Sequence, residues 1–357
     1  MPLQQSLRFC TSVDGTRIAI ASIGSGPPLV RAAHWLSHVE HDLASPVWGP
    51  WLAELSKQHT YLRYDQRGCG LSDTSIDDFS LEAGVADLEA VVAATGLRRF
   101  PLIGMSQGGA VAIAYAVRHP EQVSHLVLVG AYARGALRRA VTEEQRLEAE
   151  TLVRLIRIGW GRDNAAFRNV FTNQFIPGGT PAQHAWWNEL ERLSASPENA
   201  ARLLEALHEI DVTALARELR VPTLVLHARG DARVPFDEGR LLAALIPDAR
   251  FVPLQSDNHV LLADEPAWPA FLAELRGFLG GGAAESLDGA ASEAALTPAE
   301  RDVLRGVAQG LDNAAIARQL GKSEKTVRNQ VSSIFDKLGV RTRAEAIVRV
   351  RDRAERG

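Results

Sequence analysis

FPLIGMSQGGAVAIAYAVRH, residues 100 to 119, is the stretch on which the fold turns. Phe100 to Gly104 is an apolar run that reads as a strand. It breaks at Met105-Ser106-Gln107-Gly108-Gly109 and passes directly into an Ala-rich helix. Gly104 to Gly108 matches G-x-S-x-G. In a chain with 29 glycines the bare pattern carries little; its strand–turn–helix context carries more. Such a turn forces the serine into a strained, exposed position. The flanking glycines are needed because side chains there would collide with neighbouring backbone.

Outward from this turn the same rhythm repeats. Arg17 to Ala21, Pro28 to Arg31 and Tyr61 to Tyr64 read as short strands. Ser124 to Gly130 and Pro222 to His227 are continuous apolar runs, which suit strands buried on both faces of a parallel sheet. Strands alternating with helical stretches predict an α/β fold, a mostly parallel sheet flanked by helices. Between about residues 133 and 220 the rhythm is lost. That helical insertion, with Trp160, Trp186, Trp187 and the breaker IPGGTP at Ile176, reads as a lid. Its tryptophans either line a pocket or fill the lid's core.

An activated serine needs a base, and the base needs an acid to orient it. Asp231 follows the PTLVLH strand in the loop HARGDARVP, and His259 lies in QSDNHVLL after the strand-like RFVPL. The order Ser106, Asp231, His259 makes them the candidate catalytic residues: nucleophile, orienting acid and general base. Asp257 and Asp237 compete with Asp231, whereas His227 and His208 read as structural. The oxyanion needs two donors. One is the backbone N–H of Gln107; the other is that of Trp35, with Leu36 as the alternative. Asp65, in YDQRGCGLSD, reads as a loop organiser. Cys69 has no basic helical context that would lower its pKa.

Residues 10 to 280 resemble the α/β-hydrolase superfamily, with RYDQRGCGLSD, GMSQGG and the GDARVP…NHVLL pair in family order. The resemblance implies a Ser-Asp-His triad beneath a helical lid. One departure stands out: the family's usual His-Gly before the oxyanion loop is replaced by RAAHWLS, around His34 and Trp35. There is no metal-ligand cluster and no G-x-x-x-x-G-K-[ST] loop, so the expected chemistry uses no cofactor and no metal.

A second pattern begins after GGGAAESLDGAASEAA, a Gly/Ala/Ser stretch that predicts a flexible linker over residues 281–295. Thr297-Pro298-Ala299-Glu300 is a capping box with proline at the first helical position. Asn313 to Gln319 reads as a second helix, Gly321-Lys322 as a turn, and Ser323 as the cap of a third helix. On that helix Val327, Val331, Ile334, Phe335 and Leu338 share one face. A capping box at Thr342 to Glu345 predicts a fourth helix. A short helix, a tight turn and a longer helix with a cationic outward face form a helix-turn-helix. Lys322, Lys325, Arg328 and Lys337 are candidate phosphate contacts. Asn329 and Arg328 are candidates for reading base edges, and Ser323, Thr326 and Ser332 lie on the same surface.

Residues 296–357 resemble the LuxR-type helix-turn-helix. The carriers are Leu296-Thr297 with Glu300, Val303-Leu304 with Ala308 and Gly310, Asn313 with Ile316-Ala317 and Leu320, and Ser323 with Thr326-Val327, Val331, Ile334 and Lys337-Leu338. Ala299 and Gln330 depart from positions that are often basic or histidine. The resemblance implies double-stranded DNA as partner and a homodimer formed through the fourth helix, Ala344 to Val350.

Charge agrees with the division. From Thr297 onward 13 Lys/Arg stand against 8 Asp/Glu, a net of +5; the preceding residues hold 26 against 35, a net of −9. Attraction to polyanions therefore sits at the C-terminal end. With only Cys10 and Cys69, no disulfide framework is implied. MPLQQSLRFCTSVDG lacks a basic region followed by an apolar core, and no apolar run is long enough for a bilayer. These features predict a cytoplasmic protein with no membrane partner. The leading expectation is a transcriptional regulator whose hydrolase-like domain senses a small, partly apolar molecule. The alternative is a regulator that is also an esterase or lactonase and destroys its own signal. A third reading is a metabolic hydrolase whose C-terminal module docks on another protein.

Overall fold

The computed structural model describes residues 4–162, 164–287, 297–308 and 311–338. The chain divides into two compact units, Met1–Leu279 and Gly280–Gly357. Each unit has its own apolar core.

The first unit is built on β1 (Gln5–Thr11), β2 (Arg17–Ile23), β3 (Pro28–Arg31), β4 (Thr60–Tyr64), β5 (Phe100–Met105), β6 (Val123–Val129), β7 (Thr223–Ala228) and β8 (Arg250–Leu254). They form one sheet in the order β1-β2-β4-β3-β5-β6-β7-β8. The pairs β1–β2 and β2–β4 are antiparallel, and every pair from β4 onward is parallel. Every residue of β7 is buried, as a strand covered on both faces requires. Sequence patterning misses β1. It is an edge strand whose side chains are mostly exposed, so no apolar face marks it.

Helices flank the sheet. α1 (Trp48–Leu55) meets α11 (Ala267–Leu287) through Trp51, whose ring lies 5.2 Å from Trp268 and 4.7 Å from Phe271. α2 (Leu81–Thr95) packs on α3 (Gly108–Arg118), the helix that follows the serine turn. α4 (Ala136–Arg139), α5 (Glu143–Gly159), α6 (Ala165–Phe175), α7 (Pro181–Ser194) and α8 (Pro197–His208) lie between β6 and β7 and form the helical insertion. Capping boxes at Thr142/Gln145 and Thr180/Gln183 start α5 and α7 and satisfy their first N–H groups.

Two boundaries differ from the sequence reading. α9 (Thr213–Glu218) falls inside the stretch expected to be lid, yet it packs on α3 and on α10 (Phe236–Leu245) and belongs to the scaffold. α11 runs on to Leu287, into the stretch expected to be linker. An established helix adds a residue at little cost, and Ala, Glu and Leu after the glycines favour its continuing. Residues 288–295 of that stretch lie outside the described residues.

The turn after β4 is held by buried charge. Arg67 donates from Nε and Nη2 to the two carboxylate oxygens of Asp87 on α2, at 2.8 and 2.6 Å, and from Nη1 to Asp14 at 2.7 Å. Arg67 and Asp87 are both buried. Asp87→Ala would leave a guanidinium without its main partner, a change that costs about 3–5 kcal/mol. Urea unfolding of that variant should show a midpoint shift of this size. A loss below about 1 kcal/mol, the range of exposed pairs, would contradict the role given to this pair.

The second unit contains α12 (Pro298–Ala308), α13 (Asn313–Leu320) and α14 (Glu324–Leu338). The Thr297/Glu300 capping box is reciprocal: each backbone N–H donates to the other side chain, at 2.8 and 3.3 Å. Asp312 caps α13, Gly321 ends it at φ 62°, and the Ser323 hydroxyl accepts the Thr326 N–H at 3.1 Å to start α14. Val303, Leu304, Val307, Ile316, Ala317, Val327, Val331 and Ile334 form the core. The side chains of Phe335 and Leu338, and the expected fourth helix at 344–350 with its capping box, lie outside the described residues.

Candidate active site and nucleic-acid interface

The residues singled out in the first unit gather where β5, β6 and β7 end. Ser106 sits between β5 and α3 at φ 51°, in the left-handed region that non-glycine residues rarely adopt. Its N–H donates to the Val129 carbonyl at 3.0 Å, and its carbonyl accepts from Gly109 N at 3.0 Å. The turn closes only because its glycines lack side chains. A Cβ on Gly104 would lie 2.7 Å from Gly109 Cα, and one on Gly108 would lie 2.6 Å from the Ala33 carbonyl oxygen.

Asp231 lies in the loop after β7. Its Oδ1 accepts the N–H groups of Arg233 and Val234, both at 2.8 Å, and its Oδ2 lies 2.8 Å from His259 Nδ1. Burial opposes ionisation of this carboxyl, but the His259 charge and hydrogen bond outweigh it and hold the pKa below the usual carboxylate value. Of the competitors, Asp237 is exposed and bonded to Arg240, and Asp257 is exposed. The His259 ring lies against the turn after β6, since a Cβ on Gly130 would be 3.0 Å from its Cε1. His259 Nε2 is buried and makes no hydrogen bond, to Ser106 or to any other described group. Resting sites often hold such pairs loosely before substrate tightens them.

Ser106 opens into a narrow slot of about 20 Å³, room for about one water. Trp35, Tyr132, Phe175 and His208 line it together with two arginines, Arg139 and Arg233. Ala136, Arg139, His208 and Arg233 line both this slot and an outer chamber of about 340 Å³ that reaches Asp231. Phe175 links the slot to the insertion: its ring lies 5.7 Å from Trp35, 5.2 Å from Trp187 and 5.7 Å from His259. The tryptophans divide. Trp35 faces the slot, Trp160 and Trp187 pack in the core, and Trp186 stacks on His41 at 4.8 Å.

Around the candidate oxyanion loop, Leu36 is at φ 61°, and Trp35 is among the residues that line the slot with Ser106. Trp35 and Leu36 both remain candidates for the second donor beside Gln107. The Gln107 side chain is buried and donates to Gln66 Oε1 at 3.0 Å. Burial pushes the Cys69 thiol up to about 12. Asp65 holds its own loop: its carboxylate accepts Val39 N at 2.8 Å and Leu71 N at 2.9 Å.

Sequence reasoning does not single out Arg139 or Arg233, and it reads His208 and His227 as structural. His227 Nε2 lies 3.1 Å from the Val234 carbonyl and 3.5 Å from Asp231 Oδ2, so it braces the acid's loop. Arg233 carries a local signal, being two residues after Asp231. Arg139 and His208 carry none, because only folding of the insertion brings them to Ser106.

Buried histidines here make stability depend on pH. Burial, with help from neighbouring arginines, pushes His34 and His208 down from 6.5 to about 3. Below pH 6.5 the unfolded chain binds protons that the folded chain refuses, so each histidine costs stability as pH falls toward about 3. Asp42 and Asp65, pushed up to about 6 by burial, act oppositely between there and their usual 3.8. His208→Gln removes one destabilising proton difference. Relative to wild type it should therefore gain up to about 2 kcal/mol in urea unfolding between pH 6.5 and 5. No change in that difference would mean His208 is not held neutral.

Known proteins match this chain in two parts. Residues 41–266 match the model of the alpha/beta hydrolase fold. The chain belongs to the α/β-hydrolase family. Its C-terminal residues 294–350 match bacterial regulatory proteins of the luxR family. An α/β-hydrolase domain joined to a luxR-type helix-turn-helix domain fits a transcriptional regulator. Similar α/β-hydrolase relatives include AB hydrolase superfamily protein YisY of Bacillus subtilis, 26% identical over 262 residues, spanning 72% of this chain and 94% of that one. Pyrrolizixenacetamide deacetylase of Xenorhabdus hominickii is 26% identical over 279 residues, with 75% and 96% covered. Among solved structures, the esterase RhEst1 from Rhodococcus sp. ECU1013 superposes with a TM-score of 0.64 at 27% identity, over 77% of this chain and 98% of its own. No helix among the described residues is long and apolar enough to cross a membrane.

In the luxR-type unit, Val327, Val331 and Ile334 turn one face of α14 into the core, and Lys325, Thr326 and Arg328 are exposed. Lys322 is half-buried, its Nζ donating to Gln330 Oε1 at 3.1 Å. Arg328 lies 3.2 Å from Glu324, an exposed i,i+4 pair. The side chains of Asn329, Ser332 and Lys337 lie outside the described residues.

Proposed function

We propose that this chain is a DNA-binding transcriptional regulator whose α/β-hydrolase domain senses a small, partly apolar molecule at the Ser106 slot. The observation that carries the reading is the joining of a luxR-type domain to an α/β-hydrolase domain with a lined, lidded cavity. Lys322, Lys325, Arg328 and Lys337 contact phosphates of double-stranded DNA, Asn329 and Arg328 read base edges, and Ser323, Thr326 and Ser332 border that surface. The active species is a homodimer that works in the cytoplasm. Ligand shifts DNA affinity only if it binds the two states of the protein differently. Gel shift across a ligand library tests this. Duplex affinity that changes with no ligand would sink it.

One observation favours catalysis as well. The strained Ser106 and the 2.8 Å contact between Asp231 and His259 are what an esterase or lactonase that consumes its own signal requires. In that second reading His259 Nε2 takes the Ser106 proton as Oγ attacks the carbonyl carbon, then returns it to the leaving group. Asp231 fixes the tautomer and stabilises the imidazolium, and the N–H groups of Gln107 and Trp35 bind the oxyanion. No cofactor or metal enters this chemistry.

A further inference from the structure

We propose that the molecule taken by the Ser106 slot is anionic, and that its carboxylate is held between Arg139 and Arg233 with His208 as a third contact. The inference rests on the reading of that slot as the ligand site and names the ligand's chemical class: a small carboxylic acid or a carboxylate-bearing ester, lactone or amide.

The two arginines differ from their neighbours in what they bind. Arg134 pairs with Glu238 at 2.7 Å and Arg138 with Glu209 at 2.9 Å. Among the described residues the Arg139 guanidinium donates only to a backbone carbonyl, Arg134 O at 3.1 Å, and the Arg233 guanidinium only to a neutral amide, Gln174 Oε1 at 3.1 Å. Among the described residues neither has a carboxylate within ion-pair distance, and the nearby Glu238 is already engaged by Arg134. Rings supply partial compensation. Arg233 lies 5.9 Å from both the Trp35 and the Phe175 ring, and Arg139 lies 5.9 Å from that of Tyr132. Those same aromatic residues line the slot with Ser106.

Two like charges meet in a half-buried neck with no carboxylate in direct contact: Asp231 acts on both from farther off, Glu238 on Arg139 and Glu148 on Arg233, and an entering anion would supply the direct partner they lack. Burial lowers the pKa of both guanidinium groups. His208 adds a directional contact. Its Nε2 is buried and makes no hydrogen bond, and its ring is neutral at pH 7, so it can donate to an anion without competing with it. Arg139, Arg233 and His208 all line the outer chamber as well as the slot. A ligand body in the chamber, about 340 Å³, would therefore present its anionic end at the neck, one step from Ser106.

The test uses the full chain and matched probes, arylacetic acids and their primary amides, followed by thermal shift and titration calorimetry. The acids should bind at least about tenfold more tightly than the amides, the return expected from charge-assisted hydrogen bonds. Arg139→Gln and Arg233→Gln should erase that preference. Arg233→Lys should keep part of it, which a merely collapsed pocket would not. Amides binding as well as acids would overturn the anionic class while leaving the slot a ligand site. Acid preference surviving both glutamine variants would place the anion elsewhere and overturn the assignment. Binding of neither series would overturn it too, whereas the sensing role stands or falls separately, on gel shift with uncharged ligands.

Discussion

Ser106→Ala is expected to abolish labelling of the protein by a fluorophosphonate probe and to cut any ester or lactone hydrolysis by at least about 10³-fold. In the labelling reaction Ser106 Oγ attacks phosphorus, fluoride leaves, and His259 Nε2 takes up the proton. The new bond therefore requires an activated oxygen at position 106. Alanine removes that oxygen and little else. The backbone keeps φ 51° for either residue, so the strain is shared and folding stability should change little. Intact mass reads the outcome directly: one adduct on wild type, none on the variant. Asp231→Asn is the companion experiment. The oxygen that accepts the Arg233 and Val234 N–H groups survives, but the partner of His259 Nδ1 becomes neutral and the tautomer is no longer fixed, which costs about 10⁴-fold where such triads operate. A folded wild-type protein that takes no adduct would defeat the catalytic reading and leave the receptor reading in place. Adduct on the alanine variant would place the reactive group elsewhere.

What the sequence discloses, and what it does not, follows from how far apart the cooperating residues lie. The strand–turn–helix around Ser106 is legible because everything it needs is local: an apolar strand, glycines at the crossing points, an Ala-rich helix. Asp231 and His259 are legible because each follows a recognisable strand, so chain order stands in for space. The capping residues Thr297 and Ser323 announce their helices for the same reason; Asp312, which caps α13, goes unread. β1 is hidden because an edge strand with exposed side chains has no apolar face to betray it. The extent of α11 is hidden because a glycine run lowers helix propensity without forbidding a helix already under way. The cationic neck is the least visible feature. Arg139, His208 and Arg233 come from α4, α8 and the loop after β7; Arg233 is flagged only by lying two residues after Asp231, and nothing in the local sequence of Arg139 or His208 points to the slot. His208 is instructive, since a histidine on an apolar helix face is ordinarily structural; only the absent partner at Nε2 marks it.

Lys325→Ala and Arg328→Ala should each weaken binding to duplex DNA and flatten its salt dependence, by about one unit in the log–log slope for each phosphate that is no longer neutralised. The two residues are chosen because the fold isolates their effect. Both are exposed on α14, while Val327 between them is fully buried and holds the helix in place. Removing either side chain should therefore leave stability within about 0.5 kcal/mol of wild type. The Arg328–Glu324 pair is exposed, so exchanging it for a phosphate costs little. Lys322 is the weaker choice because its ammonium already bonds Gln330. Generic duplex serves as the probe, since phosphate neutralisation is independent of sequence and no operator need be known. Affinity measured from about 50 to 200 mM salt should fall steeply for wild type and less steeply for each variant. A dimer doubles the change, because each substitution then removes a cation from both half-sites, so the size of the slope difference also reports on assembly. Unchanged slopes in both variants would mean that α14 does not face DNA with this surface. The third reading, a hydrolase whose small helical unit docks on another protein, would then be the one left to pursue.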